Sequence, residues 1–217
     1  MSKLITFIFC INLLQGEGAE DISFRYGFMG QLQSNPDLTV ELGDKSIVHT
    51  GDAVRINIGY IRGYDFLLIF KDSQGEFDIF YSAPTKMGAQ SSKATKQDTF
   101  ATALHWAPFR DPPGEESFYL INSKSPLSYL TKLLSRYDSA PNKAKIKLAK
   151  KIQVELDALD PNAKAELSSI ASRLDKPLVG GVTFRGDDDD ELKDMSLTHE
   201  CRGTGGIAFI KIVLNHK

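Results

Sequence analysis

The sequence predicts an α+β fold, an antiparallel β-sandwich with a helical hairpin inserted late in the chain. Three observations lead there. Short runs rich in β-branched and aromatic residues, divided by glycine, proline and aspartate turns, fill the chain as far as Asn122. After Ser125-Pro126 the apolar spacing changes from a strand period to a helical one. Helices grouped after many strands, rather than alternating with them, favour a sandwich carrying helices over repeated βαβ units.

In chain order, Phe24, Tyr26 and Phe28 alternate as in a half-buried strand, and Asn35-Pro36-Asp37 signals a turn before a short strand at Leu38–Leu42. Ile47-Val48 is a further short unit. The densest apolar stretch, Gly51 to Phe77, reads as a meander: strand, turn, strand, turn, strand. Val54, Ile56 and Ile58 alternate with Arg55 and Asn57, which gives that strand one buried and one wetted face. Tyr64 to Phe70 is apolar on both faces apart from Asp65, which predicts a central strand with core on each side. Phe77–Tyr81 is the third strand. Ser82–Asp98 is a polar, aperiodic surface loop, Thr99–Trp106 resumes strand character, and Asp111-Pro112-Pro113-Gly114 turns the chain into a strand at Ser117–Asn122.

Leu127, Leu130, Leu133 and Leu134 then fall at helical spacing, as do Ala149, Ile152, Leu156 and Leu159. Asp160-Pro161 reads as an N-cap and first turn of a further helix carrying Leu167, Ile170, Ala171 and Leu174. The helical insertion is expected at about 125–176. Its one-sided apolar stripe must lie on something. Leu178–Phe184 is a possible strand and Gly186–Asp194 an acidic loop. Ile207–Leu214 is apolar on both faces except at Lys211, so it should be covered on both sides.

The N-terminus has the form of a secretory signal peptide. Lys3 supplies a positive charge, Leu4–Leu14 is almost wholly apolar, and small or polar residues follow. That run is too short to span a bilayer, which needs roughly 20 apolar residues. The expected organisation is a signal peptide at 1–18 and one domain at 19–217, exported to the periplasm or beyond. Cys10 would leave with the signal, so Cys201 alone remains and a disulfide scaffold is excluded. With 217 residues, 41% of them hydrophobic, the chain has enough material for a substantial core. A net charge of −2 lacks the basic balance of a nucleic-acid binder.

Several residue groups invite chemical readings. Asp187, Asp188, Asp189 and Asp190, followed by Glu191 and Asp194, could bind a cation, but a calcium loop starting at Asp187 would need glycine where Leu192 stands and glutamate where Thr198 stands. Such a run is ordinarily a solvated loop. Gly203-Thr204-Gly205-Gly206 precedes a strand, not a helix, and lacks the lysine of a phosphate-binding loop. Cys201 lies near His199 and Glu200, yet neighbours in sequence do not place an imidazole against a thiol. His49, His105 and His216 are scattered without metal-ligand spacing. No catalytic residue, cofactor or metal ligand is assigned. Tyr60, Tyr64, Phe66, Phe70, Phe77, Phe80 and Tyr81 form an aromatic group suited to core packing, with exposed members available to a partner. Lys143, Lys145, Lys147, Lys150 and Lys151 give a basic helix face, in the ordinary case simply solvated, with an anionic membrane or polyanion site as the alternative.

Three blocks in order carry a family resemblance. The first is Gly51–Ile56 followed by Gly63–Phe70 and Asp72–Gly75. The second is Asp111–Glu116 running into Phe118–Ile121, and the third is the Ser-x-x-Pro-Leu segment within Ser123–Leu130. Together, over roughly Leu42 to Ser135, they resemble a family of bacterial extracytoplasmic domains of unknown function. Such domains occur in exported proteins or beside caspase-like, kinase or repeat modules. The long Ser82–Asp98 loop departs from the family's short turn, while Gly205–His216 matches its closing strand. The resemblance implies a β-sandwich accessory domain and carries no catalytic residues.

The functional expectation is a non-catalytic exported binding or scaffolding domain whose partner is an envelope protein or polymer. Tyr60, Arg62, Tyr64 and Asp187–Asp190 are the candidate contact residues. The alternative is a hydrolase or thiol enzyme built around the Glu191–Cys201 region.

Overall fold

A computed structural model describes residues 22–61, 64–83, 99–159, 166–169, 197–203 and 205–217. The segment read as a signal peptide, most of the Ser82–Asp98 loop, Arg62, the Leu178–Phe184 strand and the acidic Asp187–Asp190 run lie outside them.

The first sheet is built on β1 (Ile22–Leu32), whose Phe24, Tyr26 and Phe28 all point inward and are buried. One edge of β1 pairs with β4 (Ala53–Ile61). The other edge is shared by β2 (Asn35–Leu42) and β11 (His199–Gly203), end to end. β10 (Glu166–Ser169) lies outside β11, and β7 (Thr99–Ala103) and β8 (Ala107–Pro108) line the far side of β4. The second sheet runs β3 (Ile47–Val48), β12 (Ile207–His216), β9 (Gly114–Ser123), β5 (Asp65–Lys71), β6 (Phe77–Ala83). Every pairing is antiparallel except that of β3 with β12. Two helices follow β9: α1 (Ser128–Asp138) and α2 (Asn142–Leu159). The fold is thus the expected antiparallel sandwich with a late helical hairpin.

Two hydrophobic cores explain where the helices go. Between the sheets, Phe24, Phe28, Ile56 and Ile58 meet Phe66, Leu68, Phe118, Leu120, Ile210 and Leu214. On the opposite face of the second sheet, Leu67, Ile69, Tyr119, Ile121 and Phe209 pack with Leu130, Leu133, Leu134, Tyr137, Leu148, Ile152 and Leu156 of the helices. The second sheet is therefore a middle layer, walled by the first sheet on one side and helices on the other. The central parts of β5, β9 and β12 (Phe66–Phe70, Phe118–Ile121 and Ala208–Ile210) are apolar at successive positions, because alternate side chains enter different cores.

Three expectations about connections are corrected. Gly51–Phe77 is not a meander: β4 belongs to the first sheet and β5 to the second, so the chain crosses between layers there, and only β5 and β6 form a hairpin. The turn expected at Asn35-Pro36-Asp37 falls at Gln33-Ser34 instead, with Asn35 paired to Leu32 at the start of β2. The helix expected after Asp160-Pro161 is contradicted at Glu166–Ser169, which pairs with β11 as a strand; the remainder of that segment is outside the described residues. Backbone pairing along a sheet edge prevails there over a short apolar spacing that fits either period.

Candidate functional site: polar ties and the outer face of the helical layer

The three blocks of the family resemblance are distant in sequence, and the fold ties them together. At one end of the sandwich, Gly51 N–H donates to Phe109 O at 3.0 Å and Phe109 N–H to Asp52 O at 2.8 Å. Gly51 has φ +92°, and a Cβ there would collide with the Gln33 side chain, so this turn requires glycine. Asp52 is buried and accepts from Gln33 N–H at 2.8 Å and His49 N–H at 2.9 Å. At the other end, Asp65 accepts from Leu127 N–H at 2.9 Å, placing a carboxylate at the N-terminus of α1, where no local side chain caps the helix. Ser73 Oγ donates to Pro112 O at 2.7 Å, so the glycine-aspartate, proline-glycine and serine-proline-leucine elements all take part in long-range ties.

One of these ties holds the most reactive-looking geometry among the described residues. His216 is buried; its Nδ1 lies 3.0 Å from Glu116 Oε1 and its Nε2 lies 2.9 Å from Thr50 Oγ1. Hydroxyl, imidazole and carboxylate follow in the order of a catalytic triad. The hydrogen bonds argue against that use. Thr50 donates its single hydroxyl proton to Asp111 Oδ1 at 2.8 Å, so His216 Nε2 must donate to Thr50. The adjacent Gly51 and Asp52 N–H groups are consumed by Phe109 O and His49 O, so neither is offered to an oxyanion. Burial pushes the Glu116 carboxyl above its usual range, partly offset by the hydrogen bond to His216. This chain ties the end of β12 to β9, to the turn before β4 and to the loop after β8. Sequence spacing does not bring His216 to these partners, which lie 100 and 166 positions away.

Cys201 is equally structural. It is fully buried between the sheets, its Sγ donates to Phe209 O at 3.5 Å, and burial pushes the thiol up to about 12. A thiol there stays protonated and meets no substrate. His199 stacks on Tyr26 at 5.2 Å and reaches Glu41 at 3.1 Å, away from the sulfur's partner.

The candidate contact residues divide. Tyr60 is corrected to a core residue: it is buried, stacks on Phe66 at 4.9 Å and holds the Tyr81 hydroxyl at 3.1 Å, because its position on β4 faces inward with Ile56 and Ile58. Tyr64 is half-buried against the same core. Arg62 and Asp187–Asp190 are outside the described residues. The Asp72–Gly75 turn satisfies itself, Asp72 Oδ1 accepting from Gln74 and Glu76 N–H.

Leu38, Ile47, Ile79 and Tyr129 are exposed singly on other elements, whereas the outer face of α2 presents exposed apolar residues together with a cluster of charge. Lys143, Lys147, Lys150 and Lys151 are exposed there, and among the described residues none of them carries an ion pair. Lys145 is corrected out of this group: it is half-buried, with Nζ 5.0 Å from the Tyr137 ring centroid. Ile146 and Val154, each 63% exposed, stand among the lysines on the row Ile146, Lys150, Val154. The signal for these two was their position a third of a turn or more around the helix from Ile152, the centre of the buried stripe of Leu148, Ile152 and Leu156. No described helix is long and apolar enough to cross a membrane. Comparison with protein-family models, curated proteins and solved structures finds no match.

Proposed function

We propose that this chain is a non-catalytic exported binding or scaffolding domain that meets its partner through the outer face of the helical layer. The supporting observation is the unpaired lysine face of α2 with Ile146 and Val154 exposed within it. Lys143 lies in the first turn, where a helix dipole disfavours cations and no acidic residue compensates. A surface that breaks this local preference without an internal partner suits an external anionic one. The N-terminal signal pattern and the three-block resemblance to extracytoplasmic accessory domains support export and a binding role. Cys201, Glu116 and His216 are committed to packing and internal hydrogen bonds, so among the described residues nothing favours the thiol or hydrolase alternative.

The test is crosslinking from the native envelope with a photoreactive residue at Ile146, and at exposed Thr39 on the far sheet as control. Adducts from position 146 that vanish when the lysines are reversed support the reading. Equal adducts from both positions, or none from 146, overturn it.

A further inference from the structure

We infer that the partner of this face is an anionic lipid surface, an inference that rests on the binding reading above and names its target. Between Ser128 and Leu159 the helical hairpin carries seven basic and three acidic residues, although the whole chain has a net charge of −2. Positive charge is thus concentrated on the helical layer, outside the second sheet. Four of the seven are the exposed lysines of α2, and a row of Ile146, Lys150 and Val154 runs through them over two helical turns.

The residue types distinguish between anionic partners. Lysine is a compact, strongly hydrated charge on a flexible stem, suited to a diffuse anionic field. Arginine is favoured where a fixed carboxylate or phosphate is gripped by two parallel hydrogen bonds. The exposed lysines and the row Ile146, Lys150, Val154 lie on the side of α2 opposite its buried Leu148, Ile152 and Leu156, so one helix face presents charge and aliphatic groups together. Exposed aliphatic side chains among lysines gain nothing from a hydrated polyanion, but they can enter the boundary between headgroups and acyl chains. The buried stripe of Leu148, Ile152 and Leu156 stays in the protein core, so the helix would lie on the surface while still docked on β5, β9 and β12.

The experiment is flotation of the full chain with vesicles of phosphatidylglycerol and phosphatidylcholine in equal parts, against pure phosphatidylcholine. Two variants accompany it: one replaces Lys143, Lys147, Lys150 and Lys151 by Glu, and the other carries Ile146→Ser with Val154→Ser. All six positions are exposed, so thermal melts should match the wild type. The apolar Leu4–Leu14 segment is common to every protein, so the differences isolate the face. Each lysine near an anionic surface contributes about 1 kcal/mol, roughly fivefold in partitioning, so charge reversal should weaken binding more than about 100-fold. The serine variant should weaken it about fivefold. Binding of wild type should fade as salt rises from 50 to about 300 mM, as the Debye length contracts.

Equal flotation with both vesicle types, or a charge-reversed variant that still floats with phosphatidylglycerol, overturns the lipid assignment. If vesicles fail while lysine-dependent protein adducts persist at position 146, the partner is an acidic protein and the binding reading stands alone. If both fail, both readings fall.

Discussion

Leu120 and Ile121 are successive residues of β9, both fully buried, and they face different cores. Leu120 points between the sheets, beside Leu68 and Ile210 in register; Ile121 points beneath the helices, beside Leu67 and Phe209. In a plain two-layer sandwich one of the two would be wet, and its truncation to alanine would fall within about 0.5 kcal/mol of neutral. In a three-layer arrangement each truncation removes buried methyl groups and leaves a cavity, costing about 2–5 kcal/mol. With a urea slope of about 2 kcal/mol per molar, a loss of 3 kcal/mol lowers the unfolding midpoint by about 1.5 M. Leu120→Ala and Ile121→Ala should therefore fall in the same range, and Val154→Ala, on the solvent side of α2, should not move. The assay is urea unfolding followed by circular dichroism, with the slope checked for constancy. An Ile121→Ala midpoint within about 0.25 M of wild type, beside a large Leu120→Ala shift, would sink the claim that the helices roof the second sheet.

Other outcomes follow from the same geometry. Because burial raises the Glu116 carboxyl, the native protein holds that proton more tightly than the unfolded chain does. Its contribution to stability is fullest below the ordinary 4.5 and is lost as pH rises through the raised native value. Wild type should accordingly lose ground against Glu116→Gln across that interval in urea titrations; a gain with rising pH would contradict the assignment. Cys201 should resist alkylation at pH 8 without denaturant, and rapid stoichiometric labelling would place it outside the core. The thiol is raised from 9.0 to about 12, and Tyr26 is raised as well, so the native state keeps protons that the unfolded chain releases; stability should decline above pH 9. Asp65→Ala, which removes the acceptor for Leu127 N–H, should cost about 0.5–2 kcal/mol and speed amide exchange in α1 before it affects β1. Uniform exchange across both elements would show that Asp65 does not anchor the helix specifically.

Layer membership was legible in the sequence through the kind of apolar pattern each strand carries. Val54, Ile56 and Ile58 alternate with Arg55 and Asn57, and β4 belongs to the sheet with a face outside the cores. Phe66–Ile69, Phe118–Ile121 and Ala208–Ile210 are apolar at successive positions, and all three strands lie in the middle layer. Connectivity was less legible. A glycine-rich turn announces that the chain changes direction, but the strands it joins can pair with each other or enter separate sheets. The link after β4 and the Gly205-Gly206 turn between β11 and β12 both cross between sheets. The hydrogen-bonded chain through Thr50, Asp111, Glu116 and His216 joins residues up to 166 positions apart, and no spacing rule brings such residues together. Of the candidate contact residues, Tyr60 followed its inward register on β4. The lysines of α2 were readable as a face, whereas the exposure of Ile146 and Val154 emerged only once the helix had a sheet to lie on.

The position of β12 has a consequence for how the molecule comes to exist. This strand is the last of those described, yet it lies inside the middle layer between β3 and β9, and Asn215 donates its side-chain amide to Lys45 O, 170 residues away. Neither core can close before β12 arrives, because Phe209 belongs to one and Ala208, Ile210, Ile212 and Leu214 to the other. Contacts of such sequence separation make folding slow, since loop closure must precede the burial that rewards it. A chain emerging N-terminus first would hold its other strands unsealed until β12 appeared. That unsealed state leaves the apolar strands of the middle layer open to aggregation.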